Sequence, residues 1–104
     1  MPATLILCYT GAARDRFDRD YYMTKHLPAV TREWTPLGLL SARAFFPGLD
    51  SDAPGTVCIC ECVFKDEAAA RAIFAAPCTQ ELVADIANFT DLPMRPAILA
   101  PFPG

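Results

Sequence analysis

The sequence predicts an α+β fold. It is a ferredoxin-like β-α-β-β-α-β sandwich, a four-stranded antiparallel sheet with its helices on one face. Three observations predict it. Short apolar, β-branched runs alternate with helical stretches in that order. The length, 104 residues, suits one domain spanning 1–104. The residues are 53% hydrophobic, more than one small core absorbs, which calls for a second covered surface.

Residues 3–10 are apolar and β-branched enough for the first strand. Gly11 to Phe17 is a polar connection, and Asp18 caps the first helix by accepting a bond from a free backbone N–H. That helix runs to about Thr35 and stops at Pro36 and Gly38. Residues 39–46 form a second strand, and Pro47 to Gly55 a hairpin-type loop. Residues 56–64 are the clearest strand. Asp66 caps an Ala-rich helix ending at Pro77, further helical turns cover 79–87, and 94–100 form the last strand before the tail 101–104.

The third strand carries Cys58, Cys60, Cys62 and Phe64 on one face and Val57, Ile59, Glu61 and Val63 on the other, so both faces are mostly apolar. Two helices cover only one. At ~25 cal/mol per Å² a wet apolar sheet face costs several kcal/mol, a cost removed when a second copy packs sheet to sheet. The sequence therefore predicts a homodimer through the sheet face.

Lys and Arg number 9, the net charge is −3 and the pI about 4.9, with no basic run, which argues against nucleic acid as a partner. No run reaches the ~18 apolar residues of a membrane span, and the N-terminal residues lack the charge pattern of a secretory leader. The odd cysteine count, five, reads as reduced thiols in a cytoplasmic protein. Cys58, Cys60 and Cys62 alternate along one strand, about 6.5–7 Å apart by strand rise and diverging, which suits core packing rather than a metal. No metal and no cofactor is expected.

His26 is the only histidine. At four-residue spacing it shares a helix face with Tyr22, Val30 and Trp34, an apolar stripe. Pro28 lacks an N–H and disfavours the helical region for Leu27, so the helix should bend after His26 and leave room beside the ring. The imidazole is either an acid–base group titrating near neutrality or a histidine satisfied at the helix–sheet seam. The stretch Asp85 to Pro93, in which Asn88, Phe89, Thr90 and Asp91 follow an apolar helical run as a polar knot, is a second site or simply a helix end and turn. Glu61 faces a pocket as base or anchor, or pairs with Arg43 on the neighbouring strand.

Two motifs, Phe17-Asp18-Arg19-Asp20-Tyr21-Tyr22 with Lys25-His26-Leu27-Pro28, and Asn88-Phe89-Thr90-Asp91, together resemble the EthD family, associated with bacterial ethyl tert-butyl ether degradation. The resemblance spans nearly the whole chain and implies a dimeric α+β barrel that holds small apolar or aromatic compounds between sheet and helices. Residue by residue, it places the family histidine at His26 and its downstream motif at Phe89, Thr90 and Asp91. The expected site has His26 and Asp91 as catalytic groups, with Tyr22, Trp34, Glu61, Asn88, Phe89 and Thr90 around the ligand. Glu61 or Asp91 is the candidate to hold the second ring nitrogen. The expected chemistry is acid–base isomerisation or dehydration in a catabolic or secondary-metabolite pathway. A non-catalytic accessory protein of ether or xenobiotic degradation and a haem-linked monooxygenase are the alternatives.

Overall fold

The structure, a computed structural model, describes residues 1–49 and 53–100. Part of the loop expected over 47–55 and the tail 101–104 lie outside the described residues.

Four strands, β1 (Ala3–Gly11), β2 (Leu39–Phe45), β3 (Gly55–Phe64) and β4 (Met94–Leu99), form one antiparallel sheet in the order β2-β3-β1-β4. With the helices between them this is the β-α-β-β-α-β arrangement. The two central strands form the floor of the core. Leu5, Leu7 and Tyr9 of β1 stand opposite Cys62, Cys60 and Cys58 of β3, all buried under the helices. The register shifts after Tyr9, where β3 carries an extra residue and buries both Val57 and Cys58.

The opposite sheet face carries Ile6 and Cys8 beside Ile59 and Val63 and no helix. Its charged residues include Glu61 and Arg43, cross-strand partners joined by a 3.0 Å salt bridge.

The first helical run combines α1 (Arg19–Tyr21), a π turn over Tyr22–His26, α2 (Leu27–Trp34) and a 3-10 turn over Thr35–Leu37. Asp18 caps it, accepting from the Tyr21 N–H at 3.0 Å. The expected bend after His26 is replaced by the π turn. Leu27 stays helical (φ −61°, ψ −42°), and its N–H reaches back five residues to the Tyr22 carbonyl. The physical reason lies at Pro28, which removes one rung and crowds the preceding turn; a turn widened by one residue relieves the crowding without breaking the helix. Tyr22, His26, Leu27, Val30 and Trp34 are the buried stripe. Gly38 ends the run at φ 111°, a left-handed conformation only glycine adopts without strain.

The second layer differs from expectation at Pro77. Asp66 caps α3 (Glu67–Ala72) as expected, accepting from Ala69 N–H at 2.8 Å. Pro77, however, begins α4 (Pro77–Asp85) instead of ending a helix, because its fixed φ and missing N–H suit a first turn. A 3-10 turn over Ile86–Asn88 follows.

All five cysteines are free thiols. The Cys60 and Cys62 sulfurs lie 3.6 Å apart, so the side chains converge where the strand rise alone suggested divergence; same-face neighbours lean along the strand. Among the described residues no group of three metal-ligating side chains forms, and no helix is long and apolar enough to cross a membrane.

Candidate active site

His26 sits at the last position of the π turn with its side chain almost fully buried. Its Nδ1 lies 2.9 Å from Oδ2 of Asp85, at the end of α4. Asp85 Oδ1 accepts two more bonds, from the Tyr21 hydroxyl at 2.6 Å and the Asn88 amide at 2.9 Å. A carboxylate with three donors has every reason to be ionised. Its own burial raises its pKa, but the bonds from Tyr21, His26 and Asn88 outweigh that and hold it below the ordinary carboxylate range.

An ionised carboxylate only accepts, so the Nδ1 facing it carries the proton. Burial lowers the His26 pKa from its ordinary value, and Asp85 opposes that only in part. Near neutral pH the ring is therefore neutral, its Nδ1–H donated to Asp85 and its Nε2 lone pair free. This is the arrangement of a general base oriented by a carboxylate.

Nε2 has no hydrogen bond among the described residues. Among the described residues no fully enclosed side-chain nitrogen or oxygen lacks a partner, so Nε2 meets open space. That space is a small cavity of about 20 Å³, room for roughly one water. It is walled by Leu7, Val30 and Trp34 from below and by Phe74, Val83 and Met94 toward the surface. Phe74 is 37% and Val83 46% exposed, and both side chains also border grooves on the outer surface, so the cavity is one side chain thick at its mouth.

Two further polar wall groups, on Trp34 and Thr79, are occupied with each other. Trp34 Nε1 donates to Thr79 Oγ1 at 3.0 Å, and Thr79 donates to the Ile73 carbonyl at 2.7 Å.

The structure brings some of the expected residues together and separates others. Trp34 lines the cavity with His26. Tyr22 stacks on the imidazole (centroids 5.6 Å, planes at 29°) but stands outside the lining, its hydroxyl turned to the Cys58 and Cys60 thiols. Phe89 packs 4.7 Å from the imidazole as the hub of an aromatic cluster with Tyr9, Phe17 and Tyr22. Asn88 belongs to the carboxylate network.

Thr90 is a buried strut, donating to the Arg16 carbonyl at 2.6 Å and accepting from Leu92 N–H at 3.1 Å. Asp91 lies at the surface in a two-point bond with Arg16, at 2.9 and 3.2 Å, and makes no contact with the imidazole. Glu61 is on the helix-free sheet face with Arg43, on the far side of β3 from the cavity. Neither carboxylate holds the second ring nitrogen. Asp85 does, in part because it ends α4 three residues before Asn88, on one helix face with it. The spacing Asp85–Asn88, at the head of the polar knot, was the available signal. Tyr21 had none beyond standing next to Tyr22.

Comparison with known proteins agrees with this architecture. The EthD domain model matches residues 11–93. An EthD-like protein from Ralstonia eutropha JMP134 superposes with a TM-score of 0.77 at 21% identity, covering 94% of this chain and 89% of that one. An ethyl tert-butyl ether degradation (EthD) family protein from Bacillus halodurans C-125 superposes at 0.63 with 18% identity, covering 93% and 97%. SnoaB, a cofactor-independent oxygenase from Streptomyces nogalater, superposes at 0.61 with 11% identity over 99% and 95%. No curated protein matches the sequence. The motifs around His26 and Phe89, the α+β barrel fold and the match over most of the length agree, and the chain belongs to the EthD domain family.

Proposed function

We propose that this chain is a cofactor-independent acid–base enzyme acting on a small apolar or aromatic compound, with His26 as the base and Asp85 as the group that orients it. The observation that carries the reading is the pairing of a neutral, carboxylate-held imidazole with an otherwise apolar cavity. Nε2 takes a proton from a carbon or hydroxyl of the substrate. The imidazolium, held by Asp85, returns it at another atom, which isomerises the substrate or helps a hydroxyl depart. Trp34 and Phe74 supply apolar walls. The route served is catabolic or secondary-metabolite chemistry, in line with the ether-degradation name of a relative.

The chain works as a homodimer through the helix-free sheet face, where Ile6, Cys8, Ile59 and Val63 otherwise meet water.

A thermal-shift screen of small aromatic and apolar compounds, followed by turnover assays on the hits, tests this reading. His26→Gln is expected to keep the fold and reduce turnover by ~10²-fold or more, the usual size of a lost acid–base group. Unchanged turnover in the folded variant would refute the role of His26. Ligands that bind with pH-dependent, His26-dependent affinity but are never converted would establish the accessory reading instead.

A further inference from the structure

Tyr9, a lining residue of the cavity, carries a hydroxyl that the acid–base reading leaves unused. Tyr9, on β1 next to the register shift, is 1% exposed and lines the cavity together with His26. Its ring is held edge-on by Phe17, Tyr22 and Phe89, with centroids 5.4, 6.1 and 5.7 Å away. Three aromatic side chains thus fix the ring that carries the hydroxyl. That hydroxyl makes no hydrogen bond among the described residues. By the same reasoning as for Nε2, it meets open space, since no fully enclosed side-chain oxygen among the described residues lacks a partner. A buried phenol with nothing to bond is costly, which makes it a group built for a ligand.

Resting on the reading of His26 as the base in this cavity, we infer that Tyr9 is the hydrogen-bond donor to the substrate's oxygen, and that the substrate class is an enolisable carbonyl compound or a phenol. Trp34 and Thr79 are occupied with each other, so the polar side-chain groups left to the ligand are one acceptor, Nε2, and one donor, the Tyr9 O–H. Burial, then the neighbouring thiols of Cys58, Cys60 and Cys62, push the Tyr9 pKa up, so it keeps its proton and stays a donor. With a carbonyl substrate, the C–H bond beside the carbonyl breaks and its proton passes to Nε2. The bonding electrons move to the carbonyl oxygen, where the Tyr9 O–H meets the new negative charge. Where a carbon–carbon double bond is conjugated with the enolate, the electron pair flows back from the oxygen, the carbonyl re-forms and the proton returns at the far carbon, which leaves an isomer with no oxidant or reductant needed.

The test is an absorbance titration of the full chain with 4-nitrophenol, whose ionisation is coloured, and with 4-nitrotoluene, which lacks the hydroxyl. The wild-type chain should bind 4-nitrophenol as its phenolate and more tightly than 4-nitrotoluene. Tyr9→Phe should weaken 4-nitrophenol by about 10-fold or more, the size of a hydrogen bond to a charged group, and leave 4-nitrotoluene unchanged. His26→Gln should remove the phenolate colour. No binding of 4-nitrophenol, equal affinity for the two probes, or equal losses for both in Tyr9→Phe would overturn the assignment. If Tyr9→Phe changes nothing while His26→Gln does, the donor role alone fails. If neither variant matters, the reading of the site fails with it.

Discussion

At the scale of the residue, the site depends on which carboxylate reaches the imidazole. Asp91 and Glu61 are each committed to an arginine, whereas Asp85 has no cation and instead receives Tyr21, His26 and Asn88. Asp85→Asn keeps the shape but loses the charge that selects the Nδ1–H tautomer. Turnover should fall at least ~10-fold, as when a partner that orients a histidine is removed. His26 should also titrate lower still, readable by NMR of its single imidazole. The histidine was legible because it is alone in the sequence and falls in an apolar stripe. Its partner was not, because pairing across 59 residues depends on how α4 crosses α2, and nothing local encodes that. Tyr9 was hidden for a related reason. As one aromatic residue in an apolar strand it resembles core, and only the missing partner of its hydroxyl distinguishes it.

At the scale of the element, the order and kind of strands and helices followed from periodicity and caps, with Asp18, Asp66 and Gly38 acting as their residue types lead one to expect. The two departures both involve proline. Pro28 is absorbed by a π turn, and Pro77 opens a helix. A missing N–H marks a place where the ladder changes, and the surrounding packing decides whether that change is an end, a start or a wider turn. Gly38→Ala tests the cap. At φ 111° a Cβ is strained, and it would stand 3.0 Å from the Ala69 Cβ across the layer. The variant should lose about 1 kcal/mol or more of stability by denaturant titration, with the affinity of the site for its ligand unchanged.

At the scale of the whole molecule, the two sheet faces have different duties. One builds the core and cavity; the other presents Ile6, Ile59 and Val63 around the Arg43–Glu61 pair. Sedimentation at micromolar concentration should give twice the monomer mass, and Ile59→Lys should shift it to the monomer. A wild-type chain that sediments as a monomer would remove the argument. Stability should also depend on pH in a set direction. The folded-state pKa of His26 is lowered, so the unfolded chain binds the proton more readily. The stability is therefore full above the unfolded histidine's pKa, about 6.5, and is lost as pH falls through it toward the lower folded value. Thermal melts should show Tm falling over that interval in the wild type and a flatter profile in His26→Gln.

The contacts that join the two motif regions bear on how the molecule reaches its active form. Residues 16–18 and 87–91 are stitched by the Arg16–Asp91 pair, the Arg16 bond to the Ala87 carbonyl, the Phe17–Thr90 bridge and the Asp18 N–H to Phe89 carbonyl bond at 2.8 Å. Those partners are some seventy residues apart in the chain. Closing so long a loop carries an entropic cost that grows as the logarithm of its length, and such contacts slow folding. Asp85 sits just before this seam, Asn88 within it and His26 eight residues past its other edge, so closing the seam brings the imidazole and its carboxylate toward each other. In a refolding experiment, ligand binding should therefore return with the slowest phase and not with the earlier gain of helical signal. A nick in the chain between His26 and Asp85 would leave two fragments, neither of which carries the pair.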